Sequence, residues 1–331
     1  VSAGGVRYLH GTGRLGTTDP RRPEPETLYD LASLTKVVAL TTALMLAVEE
    51  GRVALDAPVQ RYVRDFVGPG KERVTVRHLL THTSGLPAHR RLWELASDAA
   101  SARAVAHATP LEAAPGTRTV YSDLGAIVLT QVVEAAYGRP FDEVVADRIF
   151  RPLDMRSTVF RPPPAWLERI APTEVDTVWR RRLLHGEVHD ENAAWLGGVS
   201  GHAGLFAPAD DLLRFGEWLL RGTDPPRVSP RVRDEFLRAQ HLVPGATRAL
   251  GWDTPSPTAS SGTRLSPRSV GHTGFTGTSL WIDLERELVV VLLSNRVHPS
   301  RNNTSWNPVR ALVADRVVEA LEGLTGAPAR P

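Results

Sequence analysis

Ser33 and Lys36 stand three residues apart, in the string Ser33-Leu34-Thr35-Lys36, at the head of a long uncharged run. On a helix, three residues make nearly one turn, so both side chains share a face. A serine hydroxyl needs a base before it attacks a carbonyl, and an amine bordering an apolar segment suits that work. Desolvation lowers the pKa of such an amine, so a Lys36 of lowered pKa is expected to take the Ser33 proton. The backbone N–H of Ser33, at a helix start, is free to donate to an oxyanion. The plainer reading is that Ser33 only caps the helix. Two lysines, Lys36 and Lys71, occur among 39 basic residues, so this chain uses arginine wherever arginine serves. Guanidinium cannot give up its proton, which makes a retained Lys36 suggestive. Two further strings carry functional groups. Tyr121-Ser122-Asp123 follows a Pro115-Gly116 turn and opens an apolar run, where a tyrosine can relay protons and Ser122 or Asp123 can cap a helix. His272-Thr273-Gly274 precedes a strand pair, and its glycine lets a substrate backbone approach.

These groups need elements to hold them. Residues 33–50 give the strongest helix signal, uncharged from Val37 to Val48 and stopped by Gly51, so the helix is expected to be buried nearly all round. Residues 1–16 read as a glycine-punctuated strand or hairpin, and 52–200 as mixed and mostly helical. Residues 210–220 and 307–323 read as amphipathic helices. Residues 278–295 read as two strands around the charged turn 283–287, too close for a helical crossover and therefore antiparallel. The pattern fits an α/β (α+β) chain: an antiparallel sheet with strands from both ends, flanked by helices, with an inserted mostly helical subdomain.

Composition narrows the classes. With 331 residues the chain buries about three-quarters of its unfolded surface and needs no staple. The absence of cysteine removes disulfides, thiolate metal sites and cysteine nucleophiles. No apolar run approaches the length of a membrane span, and a net charge of +2 without a long basic block gives nucleic acid no footprint.

Ordered as Ser-x-x-Lys, Tyr-x-Asp and His-Thr-Gly, the three motifs form a set. The chain resembles the penicillin-recognising serine hydrolases: class C β-lactamases, D-Ala-D-Ala peptidases and related esterases. The likeness runs through residues 28–37, 75–87, 115–125 and 271–283. It implies a single β-lactamase/transpeptidase-like domain over 1–331, with the sheet subdomain from about 1–55 and 245–331 and the helical one from about 56–244. A leading helix of the family is expected to be missing from this chain. The resemblance makes Ser33 the acylated nucleophile, with Lys36 and Tyr121 sharing general-base work. Asp123 stands where many relatives have an asparagine that orients the substrate amide. Thr273 and Gly274 would pair with substrate backbone, and the N–H groups of Ser33 and Phe275 would form the oxyanion hole. His272 replaces the lysine of typical β-lactamases, and is expected to face the cleft and bind the polar end of the acyl donor, titrating near neutrality. Segment 187–206 resembles a subgroup that contains muropeptide amidases, so His189, Asn192 and His202 are expected on the substrate side.

The expected function is hydrolysis of cell-wall peptide or muropeptide through an acyl-enzyme, with no cofactor and no metal. His185, His189, Asp190 and His202 also admit a metal reading, which the acylation chemistry does not need. Small esters or β-lactams are alternative substrates, and a peptide sensor without catalysis is the alternative of another class. A nucleophile elbow at Ser200 fails, because Gly198-Val199-Ser200-Gly201-His202 ends on histidine and no strand pattern precedes it. A monomer is expected, at the cell envelope, periplasmic or secreted, with the cytoplasm as the alternative.

Overall fold

The computed structural model describes residues 1–222, 225–256 and 259–325. Its ten strands are β1 (Ser2–Ala3), β2 (Val6–Arg7), β3 (Tyr29–Asp30), β4 (Val159–Phe160), β5 (Val175–Asp176), β6 (Arg182–Leu183), β7 (Leu205–Ala207), β8 (Ser269–Thr273), β9 (Ser279–Asp283) and β10 (Leu288–Leu292). They form sheets of order β2-β1-β10-β9-β8, β3-β7-β4 and β5-β6, with every strand pair antiparallel.

The expected pair around the charged turn is β9 and β10, in register from Asp283 opposite Leu288 to Ser279 opposite Leu292. Side chains alternate faces along a strand. Leu280, Ile282 and Val289 therefore enter the main core with Leu212 and Phe215 of the Ala209–Arg221 helix. Trp281, Leu288 and Val290 enter a second cluster with Ala314 and Val318 of the closing helix, Asn307–Thr325. Both sheet faces are covered, which is why β9 is buried from end to end. At the other end of the chain the expected hairpin forms, and β1 joins the sheet by pairing Ser2 with Val289.

The uncharged run becomes a buried helix, as its composition requires. It opens on tight turns closed by Leu34, Thr35 and Lys36 N–H groups, each bonded three residues back. It is wound as a π-helix from Lys36 to Thr41 and as an α-helix from Thr42 to Glu49. A leucine-to-alanine change in such a core costs about 2–5 kcal/mol. The Asp123–Tyr137 helix packs beside it; Ser122 caps it through Gly125 N–H at 3.2 Å, and Gly138 ends it at φ +66°. The small sheets were not expected. β3 and β7 pair so that the residues before Ser33 lie beside the residues after His202. None of the described helices is long and apolar enough to cross a membrane.

Candidate active site

Ser33 lies on a cleft of about 560 Å³, beside Tyr121 and Asp123. The turn before it is under strain: Ala32 holds φ +47°, a left-handed conformation unfavourable for a residue with a Cβ. Asp30 keeps that turn in place. One of its carboxylate oxygens accepts the Ala32 N–H at 2.8 Å, and the other accepts the His189 N–H at 2.6 Å. Its backbone carbonyl accepts the Thr276 hydroxyl at 2.7 Å, and that of Leu31 accepts the Thr278 hydroxyl at 3.0 Å. Burial pushes the Asp30 carboxyl up. A Cβ at Gly274 would fall 2.4 Å from the Leu31 carbonyl oxygen. This glycine thus admits the protein's own nucleophile turn, where a substrate strand was expected.

Lys36 is buried and its Nζ has three oxygen neighbours: Ser33 Oγ at 3.0 Å, Asp123 Oδ1 at 2.8 Å and the His202 carbonyl at 3.0 Å. An ammonium has three N–H donors, so all three are engaged. The expected lowering of its pKa does not occur. Burial is the largest single influence and does act downward, but the charge of Asp123, with Tyr121 adding to it, outweighs burial and leaves Lys36 raised. Asp123 in turn is driven up by burial and pulled further down by Lys36, His89 and His202, ending well below the usual carboxylate range. Its Oδ1 serves Lys36, and the residue also lines the cleft.

This pair sets a pH expectation. An ion pair near 4 Å in an effective dielectric of ~20 is worth about 4 kcal/mol. Removing Asp123's charge leaves burial to act alone, so Asp123→Asn should free the Lys36 amine at lower pH. The acid limb of acylation, read as the rate of fluorophosphonate labelling against pH, should move down by about one to three pH units. A limb that stays in place or moves up defeats this account of Lys36.

Tyr121 lies over Lys36, with Nζ 4.8 Å from the ring centroid. Its hydroxyl is buried without a hydrogen-bond partner of good geometry among the described residues. Burial raises its pKa, while Lys36 and Ser33 act in the opposite sense, so the phenol keeps its proton. His82, part of the 75–87 stretch, packs on Tyr121 at 4.7 Å between ring centroids and accepts the Ser122 N–H on Nδ1 at 3.0 Å. It positions Tyr121, a role its sequence context did not reveal.

His272 departs from expectation. It is buried, and Nδ1 donates to the Thr273 carbonyl at 2.8 Å. Burial lowers its pKa to about 4, so it is neutral near pH 7 and neither faces the cleft nor titrates near neutrality. The reason is its place on β8, whose side chains from Ser269 to His272 are all covered. Thr273 is half-buried at the strand end, and Gly274 is buried. From this stretch Phe275 lines the cleft, half-exposed and stacked on His189 at 5.6 Å. The N–H groups of Ser33 and Phe275 have no hydrogen-bond partner among the described residues, as oxyanion donors require.

Segment 187–206 acts mainly by holding things. Asn192 is fully buried, accepts the Leu92 N–H at 2.9 Å and donates to the Arg90 carbonyl at 2.9 Å, so it is a clamp on the 90–92 loop and not a substrate contact. His202 is buried between Ser200 Oγ at 2.7 Å and Asp190 Oδ1 at 2.8 Å and is not part of the cleft lining. That line looks like a Ser-His-Asp triad, but Ser200 is buried and does not line the Ser33 cleft. His189 borders the cleft, with its Nε2 held by Glu174 at 2.9 Å.

A strained serine turn facing a cleft, with a lysine and a tyrosine locked beneath it, belongs to a serine hydrolase. The comparisons agree: the β-lactamase family model matches residues 1–315, and the chain belongs to that family. It is 34% identical over 325 residues to a Salmonella enteritidis PT4 protein named "Putative D-alanyl-D-alanine carboxypeptidase", covering 87% of this chain and 74% of that one. The β-lactamase/D-alanine carboxypeptidase of Pseudomonas syringae shares its fold, with a TM-score of 0.75 at 20% identity over 95% of this chain and 91% of that one. So does EstCE1, described as a hydrolase with promiscuous acyltransferase activity, with a TM-score of 0.72 at 23% identity over 92% and 90%.

Proposed function

We propose that the chain hydrolyses amide bonds of cell-wall-derived peptides or muropeptides through an acyl-enzyme on Ser33. The observation that carries the chemistry is the 3.0 Å contact between Ser33 Oγ and Lys36 Nζ at the floor of the cleft. The peptide class is supported by the names of the relatives at about 34% identity.

In this reading Lys36 first gives a proton to solvent; its free amine then takes the Ser33 proton, and Ser33 Oγ bonds to the acyl carbon. The oxyanion forms against the Ser33 and Phe275 N–H groups. Tyr121, which keeps its proton, gives it to the departing amine. The proton on Lys36 then replaces it.

Intact-mass analysis after exposure to a fluorophosphonate tests the nucleophile, with the adduct mapped to Ser33. Defined muropeptides, p-nitrophenyl esters and a chromogenic cephalosporin test the substrate. Turnover of the cephalosporin alone, with kcat/KM above ~10⁴ M⁻¹s⁻¹, would rule out the peptide reading. Turnover confined to short esters would make the chain an esterase, and binding without turnover a sensor.

Tyr121→Phe separates proton donation from packing. A departing amine needs a proton and p-nitrophenolate does not. The variant should lose about 10²-fold or more on amides and much less on the ester. Equal losses on both substrates would remove Tyr121 from the donor role.

A further inference from the structure

The Phe275 N–H shares one peptide unit with the Gly274 carbonyl, so whatever grips that carbonyl also sets the N–H. The grip comes from an arginine that no motif marks. Arg310 stands near the start of the closing helix and reaches the turn that follows β8. Its Nη2 donates to the Gly274 carbonyl, and its Nε donates to the Thr278 carbonyl at 3.2 Å. That edge of a guanidinium carries two donors in a fixed fork, and both are engaged.

The turn does not need Arg310 to close. The Gly274 N–H already donates to the Thr278 carbonyl at 2.8 Å, and the Gly277 N–H to the Gly274 carbonyl at 3.0 Å. What the guanidinium adds is charge. A second arginine stands beside it: Arg296 Nε donates to the Phe275 carbonyl at 2.8 Å, and its guanidinium lies over the Phe275 ring, 4.6 Å from the centroid. Arg296 thus holds the next peptide unit, which does not contain the Phe275 N–H.

Neither arginine has a carboxylate at ion-pair distance among the described residues; both spend their donors on backbone carbonyls. Burial first, and the Arg296 charge second, push the Arg310 pKa down to about 10, which leaves it charged near neutrality. Two half-buried cations without a counter-ion are a cost to the fold. The negative charge that grows beside the Phe275 N–H during acylation is the counter-ion they lack.

We propose that Arg310 is a positioning residue for the oxyanion hole, fixing the plane of the Gly274–Phe275 peptide and strengthening its N–H as a donor. The inference rests on the acyl-enzyme reading above. A cationic donor on the carbonyl oxygen draws electron density through the peptide bond and leaves the N–H more positive. Hydrogen bonds in series reinforce one another in this way by roughly 10–30% per bond. The gain is larger for an oxyanion than for a neutral carbonyl, so it lowers the barrier more than it tightens substrate binding.

The test compares Arg310→Met with Arg296→Met. Two readouts follow charge in the hole: the rate of fluorophosphonate labelling of Ser33, and the affinity for phenylboronic acid, which bonds to a serine oxygen as a tetrahedral anion. Arg310→Met should melt close to wild type, label about 10- to 10²-fold more slowly and lose boronate affinity by a similar factor. Arg310→Lys, which keeps the charge, should regain most of both. Arg296→Met should lose much less. Should Arg310→Met fail to fold, Arg310→Gln, which keeps a donor without the charge, takes its place with the same expectation. Labelling within about threefold of wild type overturns the proposal. Slowed labelling with boronate affinity intact does so too, as do equal losses in the Arg296 and Arg310 variants, which would mark simple anchoring of the turn. Wild-type enzyme that takes no fluorophosphonate on Ser33 would overturn the acyl-enzyme reading and this inference with it. Normal wild-type labelling beside an unaffected Arg310→Met overturns the inference alone.

Discussion

Ser33→Ala should abolish covalent labelling by a fluorophosphonate and lower turnover of every substrate by at least about 10³-fold. No neighbouring hydroxyl can take over. Ser200, whose own contacts form a serine-histidine-aspartate line, is buried 2.7 Å from His202 and does not line the Ser33 cleft. The substitution removes one oxygen from a half-buried position, and the turn is held by Asp30, Thr276 and Thr278 rather than by Ser33. The variant should therefore melt close to wild type. Retained labelling, or a rate within tenfold of wild type, would move the nucleophile elsewhere.

Lys36→Arg should be nearly as damaging, by about 10²–10⁴-fold in acylation. Arginine keeps a positive charge beside Asp123 but cannot become the free amine that takes the Ser33 proton. The residue also donates to the His202 carbonyl from a fully enclosed position, and a planar guanidinium does not reproduce that three-way contact. Single-turnover acylation by a p-nitrophenyl ester is the measurement. An arginine variant that acylates at close to the wild-type rate would exclude proton transfer by Lys36.

The parts of the fold readable from sequence are those with an apolar run or a helical period. The Val37–Val48 run and the β9–β10 pair carry the first and the amphipathic helix at 209–221 the second, and each forms where that pattern lies. Strands of two or three residues have no period to read. The β3-β7-β4 sheet was missed for that reason, although it brings Asp30 to His189 and Lys36 to His202. Ser33 and Lys36 were identifiable by spacing, Tyr121 and Asp123 through the order of the motifs and the resemblance, and the structure gathers all four at one cleft. Their protonation was not readable, because it depends on distances. Lys36 was expected to be governed by the apolar run behind it, whereas Asp123, 87 residues on in the chain and 2.8 Å away, acts with Tyr121 to offset that burial and leave it raised. His272 and Asn192 were assigned by residue type, and burial gives each a different part.

The clamp on the nucleophile turn bears on how the chain acquires activity. Asp30 and Leu31 are bonded to His189, Thr276 and Thr278, partners 159 to 247 positions away. Contacts so distant in sequence close late, since the intervening loops must first lose their freedom. The buried helix can form from local preference, yet Ser33 gains its working conformation only when both ends of the polypeptide have come together. Covalent labelling of Ser33 thus reports completion of folding, and a nascent or partly folded chain carries the serine without the reactivity.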